Sequence, residues 1–552
     1  MFALVTFIAF IAIVAVISYF KSKGDDLSTK DGYFLAGRGL PGIVIAGSLM
    51  LTNLSTEQLI GQSGQSFRSN MGPMAWESTS CIALIILAFW FLPKYLKMGI
   101  TTIPEFLENR YDTATKRIVS VLFLLGYLLT YLPTVLYSGA LVFNQIFNVD
   151  QIFGVTPFQG IIITATILGI VSAIYAIFGG LRAVAVSDTV NGVGLLVGGF
   201  MIPIFALNIL GKNQGFIAGV RDLVSRIPAG KWSAINPANS LPPMIPWPVL
   251  FTGMLFNNLF YWCTNQSIIQ RTLGAKNLKE AQKGAIWAGL LKLITPWFIT
   301  VSGIIAYRMS MNPAEGFFTA EQIASLQKNG DLAYPTLVLR VLPKPLLGFF
   351  AAVLFGAILS SFDSALNSSA TMYTLDIHRG LINPNASDKQ LVKIGKRFGT
   401  ALAVLSIMIA PLVSFAPTGL YDFLQACFGF FNMPILAIVI VGLSTKRVPA
   451  SAPKAALLVH LVLYTLSKVF PLHIHYLYIL AILFPIDILV MLFIGKIHPR
   501  KTAYTIPEAH AVSLTPWKYA KPAAATGIIL LAAEYVLFSP LGLHNTKTDG
   551  SF

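Results

Sequence analysis

The chain is built from long apolar runs separated by polar connectors, and fourteen of these runs approach the length of a membrane-crossing helix. A hydrocarbon core of about 30 Å takes about 20 mostly apolar residues per helical span. The first seven runs are Phe2–Phe20, Ile43–Phe67, Thr79–Leu92, Ile118–Phe147, Gln159–Phe178, Ser187–Leu210 and Trp247–Thr264. The second seven are Gly284–Tyr307, Leu346–Tyr373, Phe398–Phe415, Tyr421–Leu443, Ala455–Phe470, Tyr476–Ile494 and Ala523–Phe538. Counted in chain order they are the first to the fourteenth span. Continuous runs of this length exclude a β-barrel, whose strands alternate over about 10 residues. The pattern predicts an all-α polytopic membrane protein that works as a transporter, a channel or a membrane-embedded enzyme.

Composition agrees. Of 552 residues, 55% are hydrophobic and 11% charged, with a mean hydropathy of +0.70, against about 25% charged in soluble proteins. That balance excludes a soluble enzyme and a disordered scaffold. Cys81, Cys263 and Cys427 sit within apolar runs without metal-ligand spacing, and the seven histidines are scattered. Neither a disulfide framework nor a His-based metal cluster is supported.

The net charge of +16 does not form one stripe, so no nucleic-acid partner is implied. With the N-terminus outside, 27 of the 39 basic residues fall in inside loops, as the positive-inside rule requires. Both termini are expected outside, on the inner membrane of a cell. The first span has no basic residue before it and is followed by Lys21 and Lys23, which reads as a retained span. Two outer loops, Gly211–Pro246 and Met309–Pro345, can hold short helices, either as lids or as simple connectors.

Several polar residues stand where lipid disfavours them. Glu57, Glu77, Asp188, Lys292 and Asp363 lie in or at the ends of apolar runs, and such residues point to function. Thr52 to Gln58 in the second span is so polar that it fits either a helix interrupted at mid-membrane or one buried on all sides. The seventh span puts Asn258, Tyr261, Trp262 and Asn265 at helical spacing, an amide and aromatic face suited to a hydroxylated ligand or to an interhelical contact. Trp76, Glu77 and Ser80 share one turn, and Gln425 adds an amide. In the ninth span Ser360, Ser361, Asp363 and Ser364 offer oxygens to a small hard cation, although serines also bridge packed helices. Asp188 is the nearest counter-charge; two carboxylates brought together need a cation between them or a proton on one.

These strings, DGYFLAGR, LTNLSTEQLIGQSG, TIPEFLENRY, VLYSGAL, YAIFGGLRAV, NLFYWCTNQSIIQRTL and LNSSATMYTLDI, resemble the solute:sodium symporter family from about Asp31 to about Leu443. Within it the chain is most similar to bacterial sodium/galactose symporters and animal sodium/glucose cotransporters. The resemblance implies a LeuT-type core of two inverted five-helix repeats, spans two to six and seven to eleven. It divides the chain into residues 1–42, a transport core at 43–444, and additional C-terminal helices at 445–552. It implies sugar contacts at Gln58, Glu77, Ser80, Asn258, Lys292 and Gln425 with Asn53 close by, and an inner gate at Tyr261 beside Trp262. The outer cover falls on Trp76 and Tyr421. The main sodium site would take carbonyls of Leu51, Leu54 and Ala357 with hydroxyls of Ser360 and Ser361. A second cation, or a proton, would use Asp188, Asp363 and Ser364.

The expected activity is sodium-driven uptake of a neutral, galactose- or glucose-like sugar by alternating access, with sodium as the coupled ion. The nearest alternative is sodium symport of an acidic sugar, polyol or amino acid. A membrane enzyme using Glu77 and Asp363 as acid and base would lack a nucleophile motif, metal cluster and phosphate loop, and a passive channel ranks third.

Overall fold

The computed structural model describes residues 2–22, 29–415, 419–470 and 472–543; Lys23 lies outside them. Among the described residues the chain is helical, with only isolated β-bridges besides. Nine helices are long and apolar enough to cross a bilayer, and two bent pairs make further spans. The nine are the third to sixth, ninth, tenth and twelfth to fourteenth spans. The bent pairs are the second and the eleventh.

Of the fourteen apolar runs, several are therefore not single continuous helices. The first span is one apolar helix, Phe2–Ser22. The seventh is divided into Gly253–Cys263 and Gln266–Leu273. The eighth is divided into Leu278–Ile294 and Thr300–Ser310, around Pro296, which has no N–H to continue the ladder.

The break in the second span follows from its polar stretch. Gly42–Asn53 ends at Leu54, which is extended (φ −83°, ψ 98°), and Thr56–Arg68 restarts at a 58° angle. The Ser55 N–H donates to Gln58 Oε1 at 3.1 Å, which caps the new helix. In the seventh span the cap is Asn265, whose Oδ1 accepts the Ser267 N–H at 3.1 Å and the Tyr127 hydroxyl at 2.5 Å. Tyr127 and Tyr131 occupy a widened turn just before Pro133, the local adjustment expected where a helix loses a donor.

The half-helix Gly42–Asn53 packs between the sixth and eighth spans, and the sixth also packs along the ninth. The approach is close at Gly47, where a Cβ would come within 2.9 Å of Thr189. The ninth span is thereby set against the break of the second. The loops Gly211–Pro246 and Met309–Pro345 both hold short helices, Gly215–Arg226 in one and Ala320–Lys328 and Ala333–Val341 in the other. Arg308 ties them together, 2.8 Å from Asp222 and 2.9 Å from Glu315.

Candidate functional site: a polar cavity at the helix breaks

A tight polar cavity, with about 20 Å³ of room for the centre of a water-sized molecule, lies where the second, third, fourth, seventh and eleventh spans meet. Asn53, Gln58, Trp76, Glu77, Ser80, Asn258, Tyr261, Tyr421 and Gln425 all line it. The sequence had singled out each of these. Tyr131, Asn257, Leu424 and Phe428 complete the wall. Little of the space is open to a water-sized molecule, because the rings of Trp76 and Tyr421 close over it edge to face at 5.2 Å.

Lys292 sits behind the wall. Its ammonium is fully buried, donates to Glu77 Oε2 at 2.5 Å and to Asn53 Oδ1, and lies 5.5 Å over the Trp262 ring. Trp262 is buried behind this lysine and does not reach the cavity, unlike its neighbour Tyr261. Adjacent helical positions point about 100° apart, and here Tyr261 faces the cavity while Trp262 faces Lys292. Glu77 Oε1 accepts from Gln62 Nε2 at 2.7 Å, so both carboxylate oxygens are paired. Asn258 donates to Thr79 Oγ1 at 2.7 Å and accepts from Ser80 Oγ at 3.3 Å.

A second amide chain runs through residues that the sequence reading missed. Asn257 Nδ2 donates to Gln425 Oε1 at 3.1 Å, and Asn432 donates to Asn257 Oδ1. The missed signal in Asn257 is its place beside Asn258. Two adjacent amides in an apolar run serve two faces.

The ninth-span serines face the break of the second span. Ser361 Oγ donates to the Thr52 carbonyl at 3.1 Å, and Thr52 Oγ1 is 3.1 Å from Ser364 Oγ. Ser360 Oγ has no hydrogen bond of good geometry. Hydroxyls and freed carbonyls are the oxygen donors that a hard cation takes. Leu51, Leu54 and Ala357 are buried around this point.

Deeper in, Asp188 Oδ2 accepts from Ser48 Oγ at 2.6 Å, while its Oδ1 and both oxygens of Asp363 lack partners. Arg271, which follows the apolar run of the seventh span, is fully buried and donates to Ser48 Oγ at 3.3 Å and to Ser364 Oγ. The break at Asn265 turns this arginine back into the bundle. A guanidinium thus joins the Asp188 and Asp363 network.

Asp331, in the loop Met309–Pro345, accepts the Leu420 N–H at 3.0 Å and lies 3.6 Å from Arg68. Burial raises its carboxyl above the ordinary range. Lys231, in the loop Gly211–Pro246, donates to the Phe67 carbonyl at 2.7 Å, and burial lowers its ammonium to about 8.

A multi-pass helical bundle with interrupted spans around a closed polar cavity is built as a secondary transporter. The chain belongs to the sodium:solute symporter family, whose sequence profile matches residues 33–459. It is 42% identical over 547 residues to the Escherichia coli K12 protein named "Uncharacterized symporter YidK", covering 99% of this chain and 92% of that one. It is 34% identical to a sodium/glucose cotransporter of Vibrio parahaemolyticus, over 80% of this chain and 81% of that one. The fold is shared with a Na+-coupled sialic acid symporter in a substrate-bound outward-open state, at a TM-score of 0.73 and 19% identity, covering 91% and 99% of the two chains. The protein is therefore a transporter rather than an enzyme, and sodium is its coupled ion.

Proposed function

We propose that the protein takes up a neutral, galactose- or glucose-like sugar with sodium by alternating access, through a five-plus-five core at residues 43–444. The observation that carries the substrate class is the Glu77–Lys292 pair. Each carboxylate oxygen and the ammonium is already committed inside the protein, so no free charge is left for a carboxylate or ammonium on the solute. What remains at the wall is amide and hydroxyl from Asn53, Gln58, Ser80, Asn258 and Gln425, which both donate to and accept from sugar hydroxyls. Aromatic rings at Trp76, Tyr261 and Tyr421 supply flat covers for the apolar face of the sugar, the first and last on the outer side and Tyr261 on the inner. The breaks in the second and seventh spans, five spans apart, support the two-repeat arrangement.

Sodium binds between the carbonyls of Leu51, Leu54 and Ala357 and the hydroxyls of Ser360 and Ser361, bracing the broken second span against the ninth. A second cation or a proton uses Asp188, Asp363 and Ser364. In this reading the molecule is seated in the inner membrane with both termini outside.

The test is uptake of labelled D-galactose into proteoliposomes under an inward sodium gradient, challenged with unlabelled competitors. D-glucose or D-galactose in excess should abolish the labelled signal, while sialic acid and neutral amino acids leave it intact. Inhibition by the acidic sugar alone would overturn the neutral assignment.

A further inference from the structure

The twelfth and thirteenth spans lie outside the transport core proposed above, yet they carry a buried polar pair. His460 and Asp487 are both fully buried. His460 Nδ1 is 2.9 Å from Asp487 Oδ2, and Nε2 is 2.9 Å from the carbonyl oxygen of Gly429. To satisfy both contacts, the pair must hold one proton more than a neutral ring beside an ionised carboxylate. It is either imidazolium with carboxylate or neutral imidazole with carboxylic acid. Both forms are neutral overall, as a low-dielectric interior favours.

One turn further on, the Tyr464 hydroxyl donates to the Ala426 carbonyl at 2.7 Å, and its ring stacks on His460 at 5.9 Å. Ala426 and Gly429 belong to the break in the eleventh span, where Leu420–Phe428 and Asn432–Ser444 meet at 44°. A helix end leaves carbonyls without partners. Here the carbonyls of Gln425, Cys427 and Phe428 accept backbone N–H groups of Gly429, Phe430 and Phe431. Those of Ala426 and Gly429 receive side chains of the twelfth span. The same segment presents Tyr421, Leu424, Gln425 and Phe428 to the cavity. The titratable neighbours besides Asp487 are Tyr464, Cys427 and Lys468, whose ammonium lies 4.8 Å from the Tyr464 ring.

We propose that His460, held by Asp487 and seconded by Tyr464, is a positioning residue for substrate: it clamps the bend of the eleventh span from behind so that Gln425 and Phe428 stand at the cavity wall. The clamp rests on the reading of that cavity as the sugar site. It extends substrate affinity to two helices outside the proposed core.

The test measures sodium-driven D-galactose uptake in proteoliposomes, and hydrogen exchange at the amides of residues 425–432, for the wild type and four variants. His460→Phe should raise KM about tenfold, the order expected when a buried carbonyl loses its donor, with maximal rate and sodium activation within about threefold. Asp487→Asn should stay within about twofold of wild type, because its amide can donate to Nδ1 while Nε2–H keeps the Gly429 carbonyl. Asp487→Leu should raise KM as His460→Phe does. If His460→Phe does not insert, His460→Gln, which retains one donor for Gly429, should preserve affinity while Asp487→Leu loses it. Exchange at 425–432 should rise wherever KM rises. Unchanged KM and exchange in both non-conservative variants would overturn the clamp, as would a loss of rate alone in proportion to folded protein. A wild-type chain that moves no neutral sugar would sink the sugar reading instead, and the exchange comparison would still decide the clamp.

Discussion

Lys292 is fully buried, and its ammonium joins Asn53 to Glu77. Removing one member of a buried ion pair leaves the other uncompensated, at a cost of about 3–5 kcal/mol, whereas replacing both can be nearly neutral. Glu77→Gln or Lys292→Met alone should therefore lower the melting temperature in detergent clearly. The double variant should recover most of that loss without recovering sugar uptake. A double variant as unstable as either single one would mean the pair is not the coupled unit described. At the proposed ion site, Ser361→Ala should raise the sodium concentration for half-maximal uptake several-fold while leaving the saturated rate nearly unchanged, read from uptake against sodium concentration. Glu77 and Lys292 were legible in sequence because a charge in an apolar run is expensive. Gln62, Tyr131 and Asn432 were not, since they are neutral and act only through partners on other helices. Arg271 was not legible as a buried residue, because it follows an apolar run and nothing in hydropathy reports the turn that buries it.

Among the helices, interruptions matter more than spans. The break in the second span was readable because six of its seven residues from Thr52 to Gln58 are polar. The break in the seventh was not. Asn258 and Asn265 keep helical spacing, so they read as one continuous face, while Asn265 in fact leaves the helix to cap the next one. Asn265→Ala removes an accepting cap from Ser267 and Tyr127, worth about 1 kcal/mol. It should slow transport more than it lowers melting temperature, because the half-helix it orients carries Arg271; equal effects on both would reduce Asn265 to a stability residue. The loop Gly211–Pro246 offers a pH signature. Lys231 titrates near 8 when folded and near its ordinary 10.5 when unfolded. Between those values the unfolded chain holds the extra proton, so this residue's contribution rises with pH and is lost as pH falls through 8. Lys231→Met should flatten the rise in melting temperature across that window, and an unchanged slope would assign it to other groups.

In the proposed reading the molecule places sodium donors on the second and ninth spans, the sugar wall on the second, third, seventh and eleventh, and a brace on the twelfth and thirteenth. The family and the helical class were legible from local strings and hydropathy. The number of full-length helices was not, because apolar length does not report a break. The brace was not either, because a lone His and a lone Asp 27 positions apart carry no pattern. Coupling requires that sodium raise sugar affinity by the factor by which sugar raises sodium affinity. The most direct measurement is the steady-state ratio of D-galactose inside to outside sodium-loaded proteoliposomes as the sodium gradient is set inward, abolished and reversed. The account requires accumulation above the outside level, equality, and depletion, in that order. A ratio that stays at unity under all three gradients, while galactose still equilibrates across the membrane, would contradict it.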